Sequence, residues 1–247
     1  MQPYTVWQVT RLVLHRKFVK MREGRQMTKS DGGPDAARRP LSRDSILAAA
    51  LELVDADGLE ALTMRALGAR LGVEAMSIYH HLPSKQAVID GIVDLVWAEV
   101  TLTGDSRDWR TAVRRTARSA FTTLLHHPWA NRIRATSGGP ARMAYIDASL
   151  GHLRSAGFTP EQAFHAHHVL EAYIQGYVIQ ALDFAPTDAA TEREQRDAAL
   201  AYLEQVGHTH LIEHVNLHAS DQGSGFDFGL MLLLDGLDGR LERRDPQ

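Results

Sequence analysis

Residues 62–85 constrain the fold of this chain more than any other segment, because two short helices there meet at a glycine corner. The run reads Leu-Thr-Met-Arg-Ala-Leu-Gly-Ala-Arg-Leu-Gly-Val-Glu-Ala-Met-Ser-Ile-Tyr-His-His-Leu-Pro-Ser-Lys. A first helix, capped by Thr63, is predicted to end at Gly72. A second runs from about Ala75 to Leu82 and is stopped by Pro83. Two short helices joined in this way predict a helix-turn-helix arrangement.

The second of these helices has one apolar and one polar face. Ile78, Tyr79 and Leu82 are predicted to dock it on the core. The residues that then face outward are Ala75, Met76, Ser77, His80 and His81. Gly68 supplies a small residue where the two helices cross, which accounts for a mid-helix glycine that costs about 1 kcal/mol relative to alanine. A short exposed helix braced by a neighbour fits the major groove, so double-stranded DNA is the predicted partner.

Helical patterns continue on both sides of this corner. Ser42 is a good N-cap for a first helix that ends at Gly58, and Ser84 caps a long fourth helix that extends to about Leu102. Further helices are predicted at 109–126, 129–136, 140–156, 160–184, 193–219 and 226–242. No convincing run of alternating β-branched residues appears, so the predicted fold class is all-α.

Basic residues are concentrated at the start of the chain. Residues 1–43 carry a net charge of +7 and the remainder carries −10, within a total of −3. Residues 1–40 are therefore predicted to be a basic, flexible arm that ends in a polar linker and adds phosphate contacts. Two plainer interpretations remain open, a solvated tail or a true first residue at Met21 or Met27.

The residues of the 62–85 run resemble the DNA-binding domain of the tetracycline-repressor (TetR) family. The family pattern is Thr-x-Arg-x-Leu-Ala-x-x-Leu-Gly-Val, then a reading helix with an aromatic-x-His ending and a lysine after it. Gly68 stands where alanine is usual. The resemblance covers residues 41–100. The later part resembles the C-terminal domain of the tetracycline repressors through Asp108-Trp109-Arg110, His127-Pro128-Trp129, 156–161 and 226–237.

This resemblance implies a ligand-responsive regulator, most simply a repressor, that binds a palindromic operator as a homodimer and is released by a small-molecule effector. The expected architecture is a three-helix helix-turn-helix head over residues 41–102 and an all-helical ligand-binding and dimerisation body over 103–242. The operator, the regulated gene and the effector are not predicted, and tetracycline is not proposed as the effector.

The resemblance also carries over DNA contacts, position by position. The resemblance supplies roles for Met64, Arg65, Ser77, Tyr79, His80, His81 and Lys85. The full set predicted to contact DNA is Arg43, Thr63, Met64, Arg65, Ala75, Met76, Ser77, Tyr79, His80, His81 and Lys85. Arg65 and Ser77 would contact bases or adjacent phosphates, while Tyr79, His81 and Lys85 would hold phosphates. In addition, the Met64 side chain would sit against the DNA backbone, and His80 occupies a variable reading position.

The body is predicted to supply both a dimer interface and a ligand pocket. The apolar stretches Ala163–Leu182 and Phe226–Leu237 are expected to pair across a two-fold axis as a four-helix bundle, with packing inside one subunit as the alternative. The pocket is expected between body helices and lined by Phe121, Trp129, Tyr145, Phe164, His168, Tyr173 and Tyr177. Aromatic residues at helical spacing are also ordinary core residues, so this lining competes with simple packing.

The sequence contains two groups of closely spaced histidines that could be metal ligands. They are His165, His167 and His168, which precede Glu171, and His210, His214 and His218. Two histidines four residues apart can share a metal ion, but three successive helical turns do not easily face one ion. A solvated or pH-sensitive helix face is the alternative, and no metal or cofactor is predicted.

Other functional classes find little support. The chain has no cysteine, which excludes disulfides and thiolate metal sites, and no apolar run near the roughly 20 residues that span a bilayer. No nucleophile elbow or phosphate-binding loop is present, so no enzyme activity is predicted. A helical module that has lost DNA binding is the other rival, and the retained basic residues of the 62–85 run argue against it. The expected location is the cytoplasm.

Overall fold

The computed structural model describes residues 41–104, 108–133, 138–183, 189–220 and 224–242, and every regular element in these ranges is helical. The predicted all-α fold class is therefore confirmed. The basic arm of residues 1–40 lies outside the described residues. Within the described ranges, 41–169 form one compact unit, and the residues from Leu170 onward form another.

Helix α1 (Arg43–Asp57) begins and ends where the sequence predicts. Ser42 and Ser45 form a capping box, in which the Ser42 hydroxyl accepts the Ser45 N–H at 3.1 Å and the Ser45 hydroxyl accepts the Ser42 N–H at 2.9 Å. Gly58, with φ of 82°, ends the helix. Its buried apolar face consists of Ile46, Leu47, Ala50, Leu53 and Val54.

Helices α2 (Met64–Leu71) and α3 (Ala75–Tyr79) form the predicted corner. Gly72 takes a left-handed conformation with φ of 67°, which glycine adopts without strain. At Gly68 an added Cβ would lie 2.8 Å from the Val73 carbonyl oxygen. The predicted close crossing at Gly68 is therefore confirmed.

Helix α3 is shorter than predicted and docks through fewer residues. It ends at Tyr79, because the N–H groups of both His81 and Leu82 donate to the Ile78 carbonyl at 2.9 Å in a tightening turn. Ile78 and Leu82 are buried, as predicted, but Tyr79 is 41% exposed. The prediction that Tyr79 packs on the core is wrong, since each residue turns about 100° around the helix axis and Tyr79 faces away from Ile78.

Helix α4 (Lys85–Ala98) is capped by Ser84, whose hydroxyl accepts the Ala87 N–H at 3.0 Å. It ends about one turn before the predicted Leu102. Beyond it the backbone runs along the next helix and donates from the Thr101 N–H to the Ser119 hydroxyl at 2.7 Å. This long-range bond replaces the helical bonds that a longer α4 would have made.

The first unit is completed by α5 (Trp109–His126), α6 (Pro140–Ser155) and the first part of α7 (Pro160–Asp183). These bounds agree with the predicted helices to within a residue. The described structure does not contain the helix predicted at 129–136 in its full length. Its described part contains a single 3₁₀ turn at Ala130–Arg132, and residues 134–137 lie outside the described ranges.

The second unit contains the rest of α7, α8 (Ala189–Val206), α9 (Thr209–Ser220) and α10 (Ser224–Glu242). The prediction of one helix over 193–219 is wrong. Gly207 has φ of 77°, and the His208 N–H donates to the Leu203 carbonyl at 3.0 Å, which is a helix-ending pattern. The chain reverses there, so α9 packs on α8 around Leu203 and Val215. Across all described residues, none of the helices has the length and hydropathy of a membrane span.

Candidate DNA-binding surface and its junction with the body

The polar surface of the α2–α3 corner carries most of the residues that the sequence assigned to DNA. The exposed ones are Arg43, Thr63, Arg65, Met76, Tyr79, His80, His81 and Lys85, while Ala75 and Ser77 are half-buried. All belong to one unit of the chain. The head therefore presents a helix end and its flanking cations together.

Met76 is the most exposed large apolar side chain on this surface, at 69%. It projects from α3, whose opposite side buries Ile78 completely. An apolar group held in water on a polar surface suits contact with the edges of bases, such as a thymine methyl group. Met64 differs, because its side chain is only 9% exposed and contributes to the core of the head. Only the small exposed part of the Met64 side chain could therefore contact DNA.

The cations of this surface are available for an external anion. Among the described residues, Arg65 and Lys85 form no ion pair, whereas Arg70 on the same helix as Arg65 is paired with Glu52 at 2.9 Å. Lys85 is the first residue of α4, where unpaired backbone N–H groups add to its charge. Both features suit the binding of a phosphate.

Helix α4 connects this surface to the body through Asp94. The Asp94 Oδ1 atom accepts the N–H groups of Ala141 at 2.9 Å and Arg142 at 3.3 Å, at the start of α6. Helix α6 has no side-chain cap from its own N-cap residue, Gly139. A carboxylate from a different helix therefore caps α6.

The same two helices also meet through a stack of side chains. The Arg142 guanidinium lies 4.0 Å from the centre of the Trp97 ring, and the Trp97 and Tyr145 rings are 4.8 Å apart. Trp97 and Tyr145 are both almost fully buried. This stack and the Asp94 bonds make the α4–α6 contact both polar and apolar.

A second junction is centred on His127, directly after α5. The His127 Nδ1 atom lies 2.8 Å from Asp55 Oδ1, and its Nε2 atom lies 3.3 Å from Glu99 Oε2. The Trp129 indole N–H donates to the same Asp55 oxygen at 2.7 Å. Burial by itself lowers the pKa of His127, but the hydrogen bonds and charges of Asp55 and Glu99 outweigh that effect and raise the pKa above its usual value.

The predicted pocket residues of the first unit have varied environments. Tyr145 is buried against Trp97 and lies near His167, with ring centres 6.4 Å apart, and Phe121 is half-buried. Trp129 is buried but uses its N–H on Asp55. Two other members are exposed in the single chain, Phe164 at 54% and His168, whose Nδ1 atom lies 2.8 Å from the Phe164 carbonyl oxygen.

Tyr173 and Tyr177 belong to the second unit and pack with Phe226. The Tyr173 hydroxyl donates to the Phe226 carbonyl at 2.7 Å, and the two rings stack 5.3 Å apart. Burial raises the pKa of Tyr173 to about 12. Gly229 lets the α10 backbone approach closely, since a Cβ there would lie 2.9 Å from the Tyr173 ring. In this unit the two tyrosines fasten α7 to α10.

Apolar side chains on α7 and α10 are exposed in the single chain. In the second unit they are Ile179 at 47%, Phe228 at 68% and Leu232 at 57%. These residues lie in the two stretches that the sequence assigned to the dimer interface. Large apolar groups at such exposure are typical of a surface that another chain covers.

The histidine groups do not converge on one point. His167 is 7% exposed, whereas His165 and His168 are exposed. The His210 side chain is 99% exposed, and its Nδ1 atom lies 3.5 Å from Glu213 Oε2. Within the described part of the chain, no three potential ligands are placed to share a metal ion. The side chain of His218 lies outside that part.

Sequence reasoning missed the carboxylates that hold the head. It selected neither Asp55, Glu99 nor Asp94, although it singled out the His127-Pro128-Trp129 run. The partners of these groups are far away in the chain, since His127 lies 72 positions after Asp55 and Ala141 lies 47 positions after Asp94. No local pattern signals such pairs.

Two family models match this chain. The model for bacterial regulatory proteins of the tetR family matches residues 46–92, and the model for the tetracyclin repressor-like C-terminal domain matches residues 103–241. Together they cover the α1–α4 head and the later helices.

Individual proteins are similar over most of the chain. The HTH-type transcriptional repressor DrrR1 of Streptomyces coeruleorubidus is 30% identical, over 83% of this chain and 82% of that repressor. The tetracycline repressor protein class A of Escherichia coli transposon 1721 is 30% identical, over 80% of this chain and 90% of its own length. The crystal structure of ActR from Streptomyces coelicolor in complex with actinorhodin aligns with a TM-score of 0.69 at 26% identity, over 81% of this chain and 98% of ActR.

Proposed function

This chain belongs to the TetR family of bacterial regulatory proteins, and on that premise we propose that it is a transcriptional repressor controlled by a small molecule. It binds a palindromic operator as a homodimer and leaves the operator when an effector binds its body. The observation that carries the proposal is the exposed end of α3 within the segment that matches the family's DNA-binding model. It is flanked by Arg65 and Lys85, which form no ion pair with any residue that the structure describes.

The proposed DNA contacts divide into reading and positioning. Arg65 and Ser77 contact bases or adjacent phosphates, with Arg65 able to form a bidentate pair with guanine. Tyr79, His81 and Lys85 hold phosphates and so fix the register of the head without specifying sequence. The other contacts are proposed for Arg43, Thr63, Met64, Ala75, Met76 and His80.

A homodimer follows from the size of the head and from the exposed apolar groups. One head buries too little surface for tight and specific binding, whereas two heads roughly 34–36 Å apart engage successive grooves of a palindrome. We propose that Ile179 on α7, with Phe228 and Leu232 on α10, is covered by the same helices of a second copy.

The effector is proposed to be a small molecule bound by the body. Structural neighbours bind such molecules: ActR was solved with actinorhodin, and a variant of TetR from Acinetobacter baumannii was solved with minocycline. The proposed division of the chain is a head over 41–102 and a body over 103–242, with residues 1–40 as an additional basic arm. The pocket residues proposed within the first unit are Phe121, Trp129, Tyr145, Phe164 and His168.

Release of DNA is proposed to pass through α4. Asp94 and Trp97 attach this helix to α6, so a change in α6 on effector binding moves α4 and alters the distance between the two reading helices. A shift from nearly full to nearly empty operators requires about 5.5 kcal/mol of preference for one state. The regulator has no catalytic role in this mechanism and works in the cytoplasm, where its DNA is.

A selection from random double-stranded DNA tests this function. We expect the purified chain to enrich a sequence with two-fold symmetry and to bind it with two chains per site. The Arg65→Ala and Lys85→Ala double variant, which keeps the buried residues of the head, should enrich nothing. Enrichment of no sequence by the wild-type chain, or equal enrichment by the double variant, would contradict the proposal.

A further inference from the structure

The side chain of His127 joins three parts of the molecule. It follows α5 of the body and contacts Asp55, near the end of α1 in the head, and Glu99, directly after α4. The imidazole is 5% exposed, against 31% for Asp55 and 40% for Glu99. One buried group therefore lies where the head, the connecting helix and the body meet.

The geometry requires two hydrogen-bond donors on this ring. Each ring nitrogen faces a carboxylate oxygen, at 2.8 Å for Nδ1 and 3.3 Å for Nε2. A neutral imidazole carries one N–H and would point a lone pair at the other carboxylate, whereas an imidazolium donates to both. The protonated ring is the form that fits this site, and the raised pKa of His127 agrees with it.

Asp55 and Glu99 are not held equally. Asp55 Oδ1 accepts from the Trp129 indole at 2.7 Å as well as from His127, and the histidine bond to it is the shorter of the two. Glu99 is more exposed and has the longer bond. When His127 loses one proton, the remaining N–H stays with Asp55, and the bond to Glu99 is lost.

We propose that protonated His127, through its hydrogen bonds to Asp55 and Glu99, holds the DNA-binding head in the orientation used on the operator. Deprotonation of His127 then releases Glu99 and weakens operator binding. This inference rests on the proposed function and adds a pH-dependent control to it. The physical reason is pre-organisation, because a head that is already fixed loses less freedom when it binds DNA.

The direction in which operator binding changes with pH follows from the direction of the pKa shift of His127. Because the pKa of His127 is raised in the folded chain, its bonds are complete at a pH below the usual value for histidine and are lost as the pH rises through the raised value. Asp55 from α1 and Glu99 from the end of α4 are the charged groups that act on the ring, and Trp129 faces the site without charge. The DNA surface holds two further histidines, His80 and His81, so the test compares variants that all retain them.

The experiment measures operator affinity by fluorescence anisotropy between about pH 5.5 and 9 at constant ionic strength, on the DNA sequence that the wild-type chain selects. The variants are His127→Gln and Glu99→Gln, and the matched control is His126→Gln, the exposed neighbouring histidine. We expect the wild-type Kd to rise about tenfold more than that of His127→Gln over this range, because only the wild type loses the bond between His127 and Glu99, and a net hydrogen-bond contribution of about 1.4 kcal/mol equals a factor of ten. Glu99→Gln should flatten the profile partly, and His126→Gln should follow the wild type.

Parallel profiles for wild type and His127→Gln would overturn the inference, as would a wild-type affinity that rises with pH relative to this variant. Circular dichroism checks that each variant is folded. If His127→Gln does not fold, the half-exposed Glu99→Gln decides the result, and a profile identical to that of the wild type overturns the proposal. If the wild type selects no DNA at any pH, the proposed function fails, which is a different outcome from a pH-independent operator complex.

Discussion

The carboxylate of Asp94 on α4 accepts the backbone N–H of Ala141, 47 positions further along the chain, at 2.9 Å and so caps α6. Most N-caps are local, as Ser42 and Ser84 are here. Since Asp94 belongs to the helix that follows the DNA-binding corner, the stability of α6 depends on the position of α4. This dependence is one physical link between the body and the head, beside the contacts of His127 with Asp55 and Glu99.

Replacing Asp94 tests that link. Asp94→Ala should lower the free energy of unfolding by about 1 kcal/mol, the usual effect of losing an N-cap, because the N–H groups of Ala141 and Arg142 lose their acceptor. Asp94→Asn keeps an acceptor oxygen and should lose less. The measurement is urea denaturation followed by circular dichroism. Equal stability of the wild type and Asp94→Ala would show that the cap contributes nothing.

Lys85→Ala should weaken binding to every DNA sequence by a similar factor. The exposed Lys85 is proposed to contact a phosphate, and each such contact releases counterions from the duplex. The slope of log K against log salt should therefore decrease by about one unit. The control is Arg70→Ala, which removes a cation that is already paired with Glu52 and should leave the slope unchanged. A slope that is the same for Lys85→Ala and the wild type would remove Lys85 from the interface.

Arg65→Ala should reduce the preference for the operator over altered sequences by about 1–3 kcal/mol if Arg65 reads a base. Arg65→Lys retains the charge but lacks the planar fork, so it should recover non-specific binding without recovering the preference. The measurement is competition between the selected operator and single base-pair variants. An unchanged preference in both variants assigns Arg65 to the backbone.

Gly72→Ala should destabilise the head by about 1 kcal/mol, because residue 72 has φ of 67° and an L side chain with a Cβ is strained there. No neighbouring atom lies within 4 Å of an added Cβ, so the effect is conformational and not a steric clash. Gly72→Asn should lose less, since asparagine tolerates the left-handed region. Thermal unfolding of the three proteins measures the difference. A melting temperature that is the same for all three contradicts the assigned backbone conformation.

Much of the fold could be predicted because the relevant signals are local. Ser42, Thr63 and Ser84 cap helices, and Gly58 and Gly72 end them, through bonds that reach three or four residues. Two helix ends were predicted wrongly, one because a distant residue bonds to the backbone there and one because a single glycine was not recognised as a helix end. Helix α4 stops early because Thr101 bonds to Ser119, and Gly207 breaks a helix inside a periodic pattern that continues on both sides.

The amino-acid sequence alone determined that this chain is helical, that two short helices meet at Gly68 and Gly72, and that exposed cations flank them. Caps, turns and the 3.6-residue period are encoded by near neighbours, so they can be recognised without a fold. Only the tertiary structure decided which carboxylates reach His127 and which helix Asp94 caps. These contacts join residues 72 and 47 positions apart, and their formation depends on how whole helices pack.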